Sequence, residues 1–280
     1  MRKSVKENEK LAAVLFGGKN NMSVNDTLGT RMKIFYEEIP KTRLMRRTPV
    51  AIRLDGRHFH TFTRGFKRPF DDILVETMRL TMLECCKEIQ GCVLGYCQSD
   101  EITLILIDYQ TFDTAAWFDY EVQKMCSIAA SIATLKFNQI FNTLVQEIIN
   151  NLERPVSEDK YLMTMIKAAN IGAMFDARCF NIPKEEVTNL IYWRQLDATR
   201  NSIQMVGQAN FSHKELQGCS CNKIQDMLMT QKGINWNDTP THLKRGSCCV
   251  RDYNGKWYVD NEIPIFKGEN RKYIDQLIDI

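Results

Sequence analysis

Alternating apolar and polar residues predict a regular succession of strands and helices in the central part of the chain. Short β-branched runs predict strands at residues 50–54, 92–97 and 101–107, and another within the sequence GAMFDARCF at 172–180. Longer segments with apolar residues every three or four positions predict helices at residues 72–89 and 115–152. Asp71 or Asp72 is suited to cap the first of these helices. The order of the elements is therefore βαββαβ.

This order is typical of the ferredoxin-like, or split βαβ, arrangement, which is an α+β fold. Right-handed crossovers make the first and second strands parallel and place the third strand antiparallel between them. The C-terminal end of the first strand then lies at the same edge of the sheet as the turn between the second and third strands. We expect Asp55, at the end of the first strand, to lie near Asp100 and Glu101 of that turn.

Carboxylates that converge on one sheet edge repel one another unless cations neutralise them. Mg²⁺ prefers oxygen ligands and is suited to such a cage. A pair of Mg²⁺ ions would bridge nucleotide phosphates, activate an attacking hydroxyl and stabilise charge on the leaving group. The sequence therefore predicts a site for nucleotide transfer at Asp55, Asp100 and Glu101.

Basic and aromatic residues are concentrated in the segment around Asp55. Gly56 permits a tight turn and leaves its surroundings open to a metal ion or a phosphate. The basic residues suit a triphosphate or an RNA backbone, and they are Arg53, Arg57, His58, His60, Arg64, Lys67 and Arg68. The interleaved phenylalanines are expected mainly to pack the loop, and they are Phe59, Phe62 and Phe66.

The composition is that of a soluble globular protein. The 280 residues are 44% hydrophobic and 25% charged, which suffices for a sizeable core in one or two domains. We expect a cytoplasmic location, because no stretch approaches the roughly 18 apolar residues of a membrane span and no convincing signal peptide is present. The net charge of +3 means that nucleic-acid binding would depend on local basic patches. The ten cysteines are expected to be reduced and mostly buried.

Six motifs follow one another along the chain: IRLDGRHFHTF, GYCQSDEITL, FDARCF, YWRQLDATRN, GINWN and HLKRGS. In this order they resemble the tRNA-histidine guanylyltransferase superfamily, whose members transfer nucleotides in the 3′ to 5′ direction. The resemblance extends from the region of Thr27 to Cys249. It implies a palm like that of ordinary polymerases, used to extend RNA at its 5′ end.

The resemblance also implies roles for individual residues. Asp55 and Asp100, with the backbone carbonyl of Gly56, match the ligands of two magnesium ions, and Glu101 matches an acidic residue needed for activity. The predicted nucleotide-binding residues are Gly56, Arg57, His58, Phe59, His60, Arg68, Asp71 and Ser99. Of these, the ones that match active-site or triphosphate-contacting positions of the family are His60, Arg68, Asp71 and Ser99. Arg68 stands where a lysine is common.

One segment separates two activities within the superfamily. Eukaryotic enzymes that add a single guanosine to histidine tRNA are similar to WRQADCHINNLYN. The residues that match are Trp193, Arg194, Gln195, Asp197 and Asn201, and those that replace His, Ile and the second Asn are Thr199, Arg200 and Ser202. This pattern is similar to the Thg-like proteins of bacteria, archaea and organelles, which prefer template-directed repair of 5′-truncated tRNA. The predicted function is therefore tRNA 5′-end repair, with addition of a single guanosine as the alternative.

The resemblance implies tRNA, GTP, ATP and other NTPs as partners, and a homotetramer. The predicted organisation is an extension at residues 1–24, a palm-type catalytic domain at 25–210, and a helical and β subdomain that contacts tRNA at 211–280. Caps for a helix near the start of the palm are Asn25, Asp26 and Thr27. Candidates for phosphate contacts in the last subdomain, although each is more often part of a solvated face, are Lys214, Lys223, Lys232, Lys244 and Arg245.

Two other classes of protein account for less of the sequence. A palm-type nucleotide cyclase uses the same carboxylates but does not account for YWRQLDATRN and GINWN. A non-catalytic ferredoxin-like module would bind RNA by stacking bases on aromatic residues of its central strands. The strand ITLILI contains no aromatic residue. Both classes therefore explain less of the sequence than a nucleotidyltransferase does.

Overall fold

A computed structural model of the protein describes residues 27–153 and 155–279. The chain divides into two compact units between Lys41 and Thr42. In the first unit, helix α1 occupies Thr27–Met32 and continues into a π-helical segment at Lys33–Glu37. The extension predicted at residues 1–24, and the caps predicted at Asn25 and Asp26, lie outside the described residues. No helix of the described ranges combines the length and apolarity that crossing a membrane requires.

The second unit is built on a six-stranded antiparallel sheet with the order β4-β1-β3-β2-β5-β6. The strands are β1 Val50–Gly56, β2 Cys92–Gln98, β3 Glu101–Leu106, β4 Phe175–Asn181, β5 Ser247–Arg251 and β6 Trp257–Asp260. As predicted, β3 lies antiparallel between β1 and β2, so that β1 and β2 are parallel to each other. The predicted α+β fold with a ferredoxin-like palm is confirmed.

Helices of this unit cover both faces of the sheet, and part of them packs in a further small core around Leu228 and Trp236. They are α2 Phe59–Phe62, α3 Asp72–Glu88, α4 Val122–Asn150, α5 Lys160–Ile171, α6 Lys184–Asn210, α7 His213–Leu216, α8 Cys221–Lys232, α9 Thr241–Arg245 and α10 Lys272–Ile278. Apolar residues of α3, α4 and α5 pack on the face that contains Ile52 and Leu104. Residues of α6 and α10 pack on the face that contains Ala51 and Ile105. Because both faces are covered, every residue of β3 is buried, which explains why four of its six residues are aliphatic.

The two predicted helices differ in how closely they match the structure. Helix α3 occupies nearly the predicted range, and the Asp71 side chain caps it by accepting a hydrogen bond from the Leu74 backbone N–H (3.1 Å). Helix α4 begins at Val122, seven residues after the predicted start at residue 115. Backbone φ angles of +50° to +55° at Phe118, Asp119 and Tyr120 prevent an α-helix from starting earlier.

Helix α6 was not predicted, because its buried face is not a continuous apolar stripe. Its buried residues include the polar side chains of Thr188, Arg194, Gln195 and Ser202. The helix ends at Asn210, where the sequence placed a domain boundary, while β5 and β6 join the same sheet as the first four strands. All ten cysteines are free thiols, and six of them are buried.

Candidate active site

The strand pairing brings the three predicted acidic residues to one edge of the sheet. Asp55 at the end of β1 is the register partner of Glu101 at the start of β3. The Gly56 backbone N–H donates a hydrogen bond to the Asp100 carbonyl oxygen (3.0 Å), which ties β1 to the turn between β2 and β3. We refer to Asp55, Asp100 and Glu101 as the acidic edge. Its assembly depends on local strand geometry that the sequence predicted.

The turn between β2 and β3 orients Asp100. Ser99 adopts a φ of +51°, and its hydroxyl donates a hydrogen bond to Asp100 Oδ1 (2.9 Å). Burial raises the pKa of the Asp100 carboxyl above its ordinary value, and the charge of Asp55 raises it further, although the Ser99 hydrogen bond opposes the shift. The ionised Asp100 carboxylate is therefore disfavoured unless a cation lies against it.

Glu101 is held differently from the two aspartates. It is 5% exposed, and the Arg194 guanidinium of α6 donates to both of its carboxylate oxygens (2.6 and 2.8 Å). Arg53 Nε lies 3.2 Å from the same carboxylate. Burial raises the pKa of Glu101, while the two arginines act in the opposite direction. Because both of its oxygens are engaged by arginines, the Glu101 carboxylate is less available to a metal ion than the two aspartates beside it.

The aspartates fit an oxygen-seeking cation better than Glu101 does. Within residues 27–153 and 155–279, no group of three or more His, Cys, Asp or Glu side chains is arranged to hold a metal ion. The predicted ligands, however, are only two side chains, Asp55 and Asp100, together with the backbone carbonyl of Gly56. They therefore do not form a group of three such side chains. No ion pair of the Asp55 carboxylate occurs among the described residues. Carboxylates that lack a cationic partner are suited to a divalent ion.

Most of the predicted nucleotide-binding segment lies at the surface, with one exception. The exposed side chains are Arg57, His58, His60 and Arg68. Phe59 is 5% exposed, and its ring packs against Phe62, Phe137 and Phe175 with centroid distances of 5.3 to 5.5 Å. The ring of Phe59 is therefore part of the core, which is the role that the sequence favoured for the phenylalanines.

Asp71 is engaged by its own chain. It is 3% exposed, and its carboxylate accepts hydrogen bonds from the Lys67 and Leu74 backbone N–H groups (3.0 and 3.1 Å) and from the Tyr161 hydroxyl (2.8 Å). These contacts fix the start of α3 and the loop before it. Asp71 and Ser99 both line a cleft of about 100 Å³, to which Asn201 of α6 and His242 of α9 also contribute. Asn201 and His242 were not among the predicted site residues.

Arg68 and Lys244 lie in different surroundings, and only Arg68 is open to a substrate. Arg68 lines a cavity of about 450 Å³ together with Gln204, Gln208 and His213. Lys244, a candidate for phosphate contact, is instead 9% exposed and donates to the Asn237 carbonyl oxygen (2.5 Å). The prediction for Lys244 is therefore wrong, because burial removes it from the surface that RNA can reach.

Asp176 and Arg194 lie near the acidic edge but were not predicted as site residues. Asp176 of β4 is the register partner of Asp55 and pairs with Arg178 (3.1 Å). Arg194 holds Glu101 from α6. Both belong to motifs that were noted in the sequence, FDARCF and YWRQLDATRN, and this was the signal available for finding them.

The replacements in the YWRQLDATRN segment make contacts within the chain. The Thr199 hydroxyl donates to the Gln195 carbonyl oxygen (3.0 Å), and Arg200 forms an ion pair with Asp197. The Ser202 hydroxyl accepts a buried hydrogen bond from the Trp236 indole N–H (3.0 Å). Trp236 belongs to the GINWN motif, so this bond connects two motifs that are distant in the sequence.

Gly56 joins the acidic edge to the aromatic core and is the subject of a stability prediction. A Cβ atom at this position would lie 2.3 Å from Phe59 Cδ2, which is closer than any side chain tolerates. We expect Gly56→Ala to lower the free energy of unfolding by about 1–3 kcal/mol through overpacking. Urea denaturation measures this change. The double variant Gly56→Ala/Phe59→Leu serves as the control and should recover part of the loss. A Gly56→Ala protein as stable as the wild type would contradict the steric explanation.

Comparison with known proteins assigns the chain to a family. A family model described as tRNAHis guanylyltransferase (Thg1) matches residues 29–183, which is more than half of the chain. The chain therefore belongs to the tRNAHis guanylyltransferase family. It is accordingly a nucleotidyltransferase, as the sequence predicted.

The chain is also similar to individual proteins and solved structures. The uncharacterized protein R259 of Acanthamoeba polyphaga mimivirus is 28% identical over 240 residues, which cover 80% of this chain and 76% of that protein. A structure of a bacterial tRNA(His) guanylyltransferase (Thg1)-like protein in complex with ATP superimposes with a TM-score of 0.78 at 40% identity, covering 91% of this chain and all of that one. The crystal structure of the Saccharomyces cerevisiae tRNA(His) guanylyltransferase gives a TM-score of 0.61 at 19% identity, covers 81% of this chain and 94% of that one, and supports the fold alone.

Proposed function

We propose that this protein is a template-dependent 3′–5′ nucleotidyltransferase that adds nucleotides to the 5′ end of truncated tRNA, with NTPs as the second substrate. The observation that carries the proposal is the convergence of Asp55 and Asp100 at one sheet edge in a member of a nucleotidyltransferase family. Addition of a single guanosine to histidine tRNA is the alternative. A non-catalytic RNA-binding module would give the two aspartates no reason to converge.

The acidic edge would hold two Mg²⁺ ions through Asp55, Asp100 and the Gly56 carbonyl. When bound, such ions neutralise phosphate charge and favour deprotonation of the attacking hydroxyl. The Ser99 hydroxyl orients the Asp100 carboxylate for this task, because it donates to Oδ1. Glu101 would have a positioning role, because its ion pairs with Arg194 and Arg53 hold two guanidinium groups beside the aspartates.

The basic side chains around β1 and α2 would contact the substrates. Arg57, His58, His60 and Arg68 are exposed, so each is available to a triphosphate or to RNA phosphates. The backbone of the same segment is fixed, because the Arg57 N–H donates to the Met174 carbonyl oxygen (2.8 Å). Asp71 would act indirectly by holding the loop that contains Arg68, since the Lys67 N–H donates to its carboxylate.

Two observations favour repair over addition of a single guanosine. The chain is 40% identical to the bacterial Thg1-like protein whose structure contains ATP. In addition, the Thr199 and Ser202 hydroxyls form hydrogen bonds inside the chain. Watson–Crick pairing with the opposing strand of the acceptor stem can position the incoming base without a dedicated protein pocket. We also propose a homotetramer on the basis of the family resemblance.

The proposal is tested by varying the template base. tRNAs that lack their first nucleotide, with C, A, G or U opposite the gap, are incubated with Mg²⁺ and all four NTPs, and the 5′ ends are sequenced. We expect the complementary nucleotide to be added at least about tenfold faster than the others, which corresponds to about 1.4 kcal/mol. Asp55→Asn protein is the matched control for background addition. If guanosine is added equally opposite every base, the alternative replaces the repair proposal.

A further inference from the structure

Trp193 of α6 is an exposed aromatic residue that lies beside the acidic edge. Its side chain is 52% exposed, whereas Trp117 and Trp236 are each 7% exposed. The Arg194 guanidinium lies 4.5 Å from the centre of the indole ring, and the Arg53 guanidinium lies 5.8 Å from it. These two guanidiniums are the ones that pair with Glu101. The indole is therefore held next to the carboxylates while half of its surface remains in water.

The exposure of Trp193 is not explained by packing within the chain. Burying an indole is strongly favourable, and an exposed aromatic residue that adjoins other exposed apolar side chains is typical of a contact surface. Leu196, three residues later on the same helix, is 51% exposed. These residues form one apolar patch on the outer surface of α6, because positions three apart are neighbours on a helix.

Exposed arginines lie on two sides of this patch. Arg178 of β4 is the register partner of Arg53, and its side chain is 53% exposed. Arg200 follows Trp193 by about two helical turns, and its side chain is 61% exposed. Arg178 pairs with Asp176, and because both side chains are about half exposed this pair contributes little and exchanges readily for other anions. Arg200 pairs with Asp197, a carboxylate that it shares with Arg194. The exposed indole is thus flanked by cations from a strand and from a helix.

We propose that Trp193 is a stacking platform for the terminal nucleobase of the RNA end delivered to the acidic edge, with Arg178 and Arg200 contacting phosphates of that end. This inference rests on the proposed function and adds to it the residue that places the RNA. Aromatic side chains bind unstacked bases through their π faces regardless of base identity, as a template-directed enzyme requires. The RNA end fits better than a free nucleotide, because cations on two separate elements suit an extended backbone.

The first test separates the two substrates kinetically. Initial rates are measured for wild type, Trp193→Ala, Trp193→Phe and Tyr253→Ala, with truncated tRNA and NTP varied in turn. We expect Trp193→Ala to raise the KM for tRNA by about 5- to 150-fold while the KM for NTP changes less than twofold, and Trp193→Phe to give a smaller increase. Tyr253 is the matched control because it is also an exposed aromatic residue, with 97% of its surface in water. It follows the C-terminal end of β5, and since β5 runs antiparallel to β2, this end of the sheet is opposite to the acidic edge.

The second test reports stacking without catalysis. Tryptophan fluorescence is recorded while truncated tRNA, or GTP alone, is added. We expect tRNA to quench the wild-type signal and GTP alone to leave it nearly unchanged, with the quenching lost in Trp193→Phe even though that variant still binds tRNA. An unchanged KM for tRNA in Trp193→Ala, or equal quenching by GTP alone, would overturn the inference. A wild type that shows tRNA-dependent quenching but no transfer would refute the proposed function and leave the stacking site standing.

Discussion

Replacing Asp55 or Asp100 with asparagine is expected to abolish nucleotide transfer while the protein stays folded. Asparagine preserves the shape of the side chain and removes the negative charge that would hold a divalent cation. Loss of a metal ligand removes several kcal/mol of transition-state stabilisation, which corresponds to a rate loss of about a thousandfold or more. Transfer to truncated tRNA at saturating Mg²⁺ and NTP measures the effect. Asp113→Asn, which changes an exposed aspartate, is the matched control.

The stability of Asp100→Asn makes this experiment more specific. Burial and the charge of Asp55 raise the pKa of Asp100, so the ionised carboxylate is disfavoured in the metal-free folded protein. A folded-state pKa above the unfolded value means that wild-type stability falls as the pH rises from about 3.8 through the folded pKa. Asp100→Asn should therefore be at least as stable as the wild type at pH 7 without divalent ions. An inactive variant that is also unfolded would show that Asp100 is needed for the fold and would remove this support for the site.

Replacing Arg194 with methionine is expected to cause the largest loss of stability. Arg194 and Glu101 form a buried bidentate ion pair, and removing one partner leaves the other charge buried. Such changes cost about 3–5 kcal/mol, although Arg53 remains to neutralise part of the charge here. Urea denaturation at pH 7 measures the loss. Arg200→Met, on the same helix but 61% exposed at the side chain, is the control and should change stability by less than about 0.5 kcal/mol.

The pH dependence of the Arg194→Met penalty identifies its cause. Burial already raises the pKa of Glu101, and Arg194 opposes that shift, so its loss raises the pKa further. A protonated Glu101 needs no cation, so the penalty should be smaller at pH 5 than at pH 8. The double variant Arg194→Met/Glu101→Gln should recover most of the stability at pH 8. A penalty that is the same at both pH values would point instead to lost packing on Trp193.

The sequence by itself determined the succession of the first four strands along the chain, the arrangement of the first three in the sheet, and the convergence of Asp55 with Asp100 and Glu101. Strand periodicity shows which runs pair, and a two-residue turn fixes the register at the edge where these residues lie. The family motifs then indicated the chemistry. These features were accessible because each depends on residues that are close in the chain or on the rules of strand connection.

The tertiary structure alone decided how the individual side chains are used. Arg194 reaches Glu101 across a separation of 93 residues, and the buried polar face of α6 gives no apolar stripe from which the helix could be predicted. The same packing buries Lys244 and commits Asp71 to Tyr161. The burial and the ion-pair partner of a charged residue cannot be predicted from the sequence pattern, because both depend on which distant elements pack against it. The surroundings of the acidic edge were therefore set by the packing of α6 on the sheet.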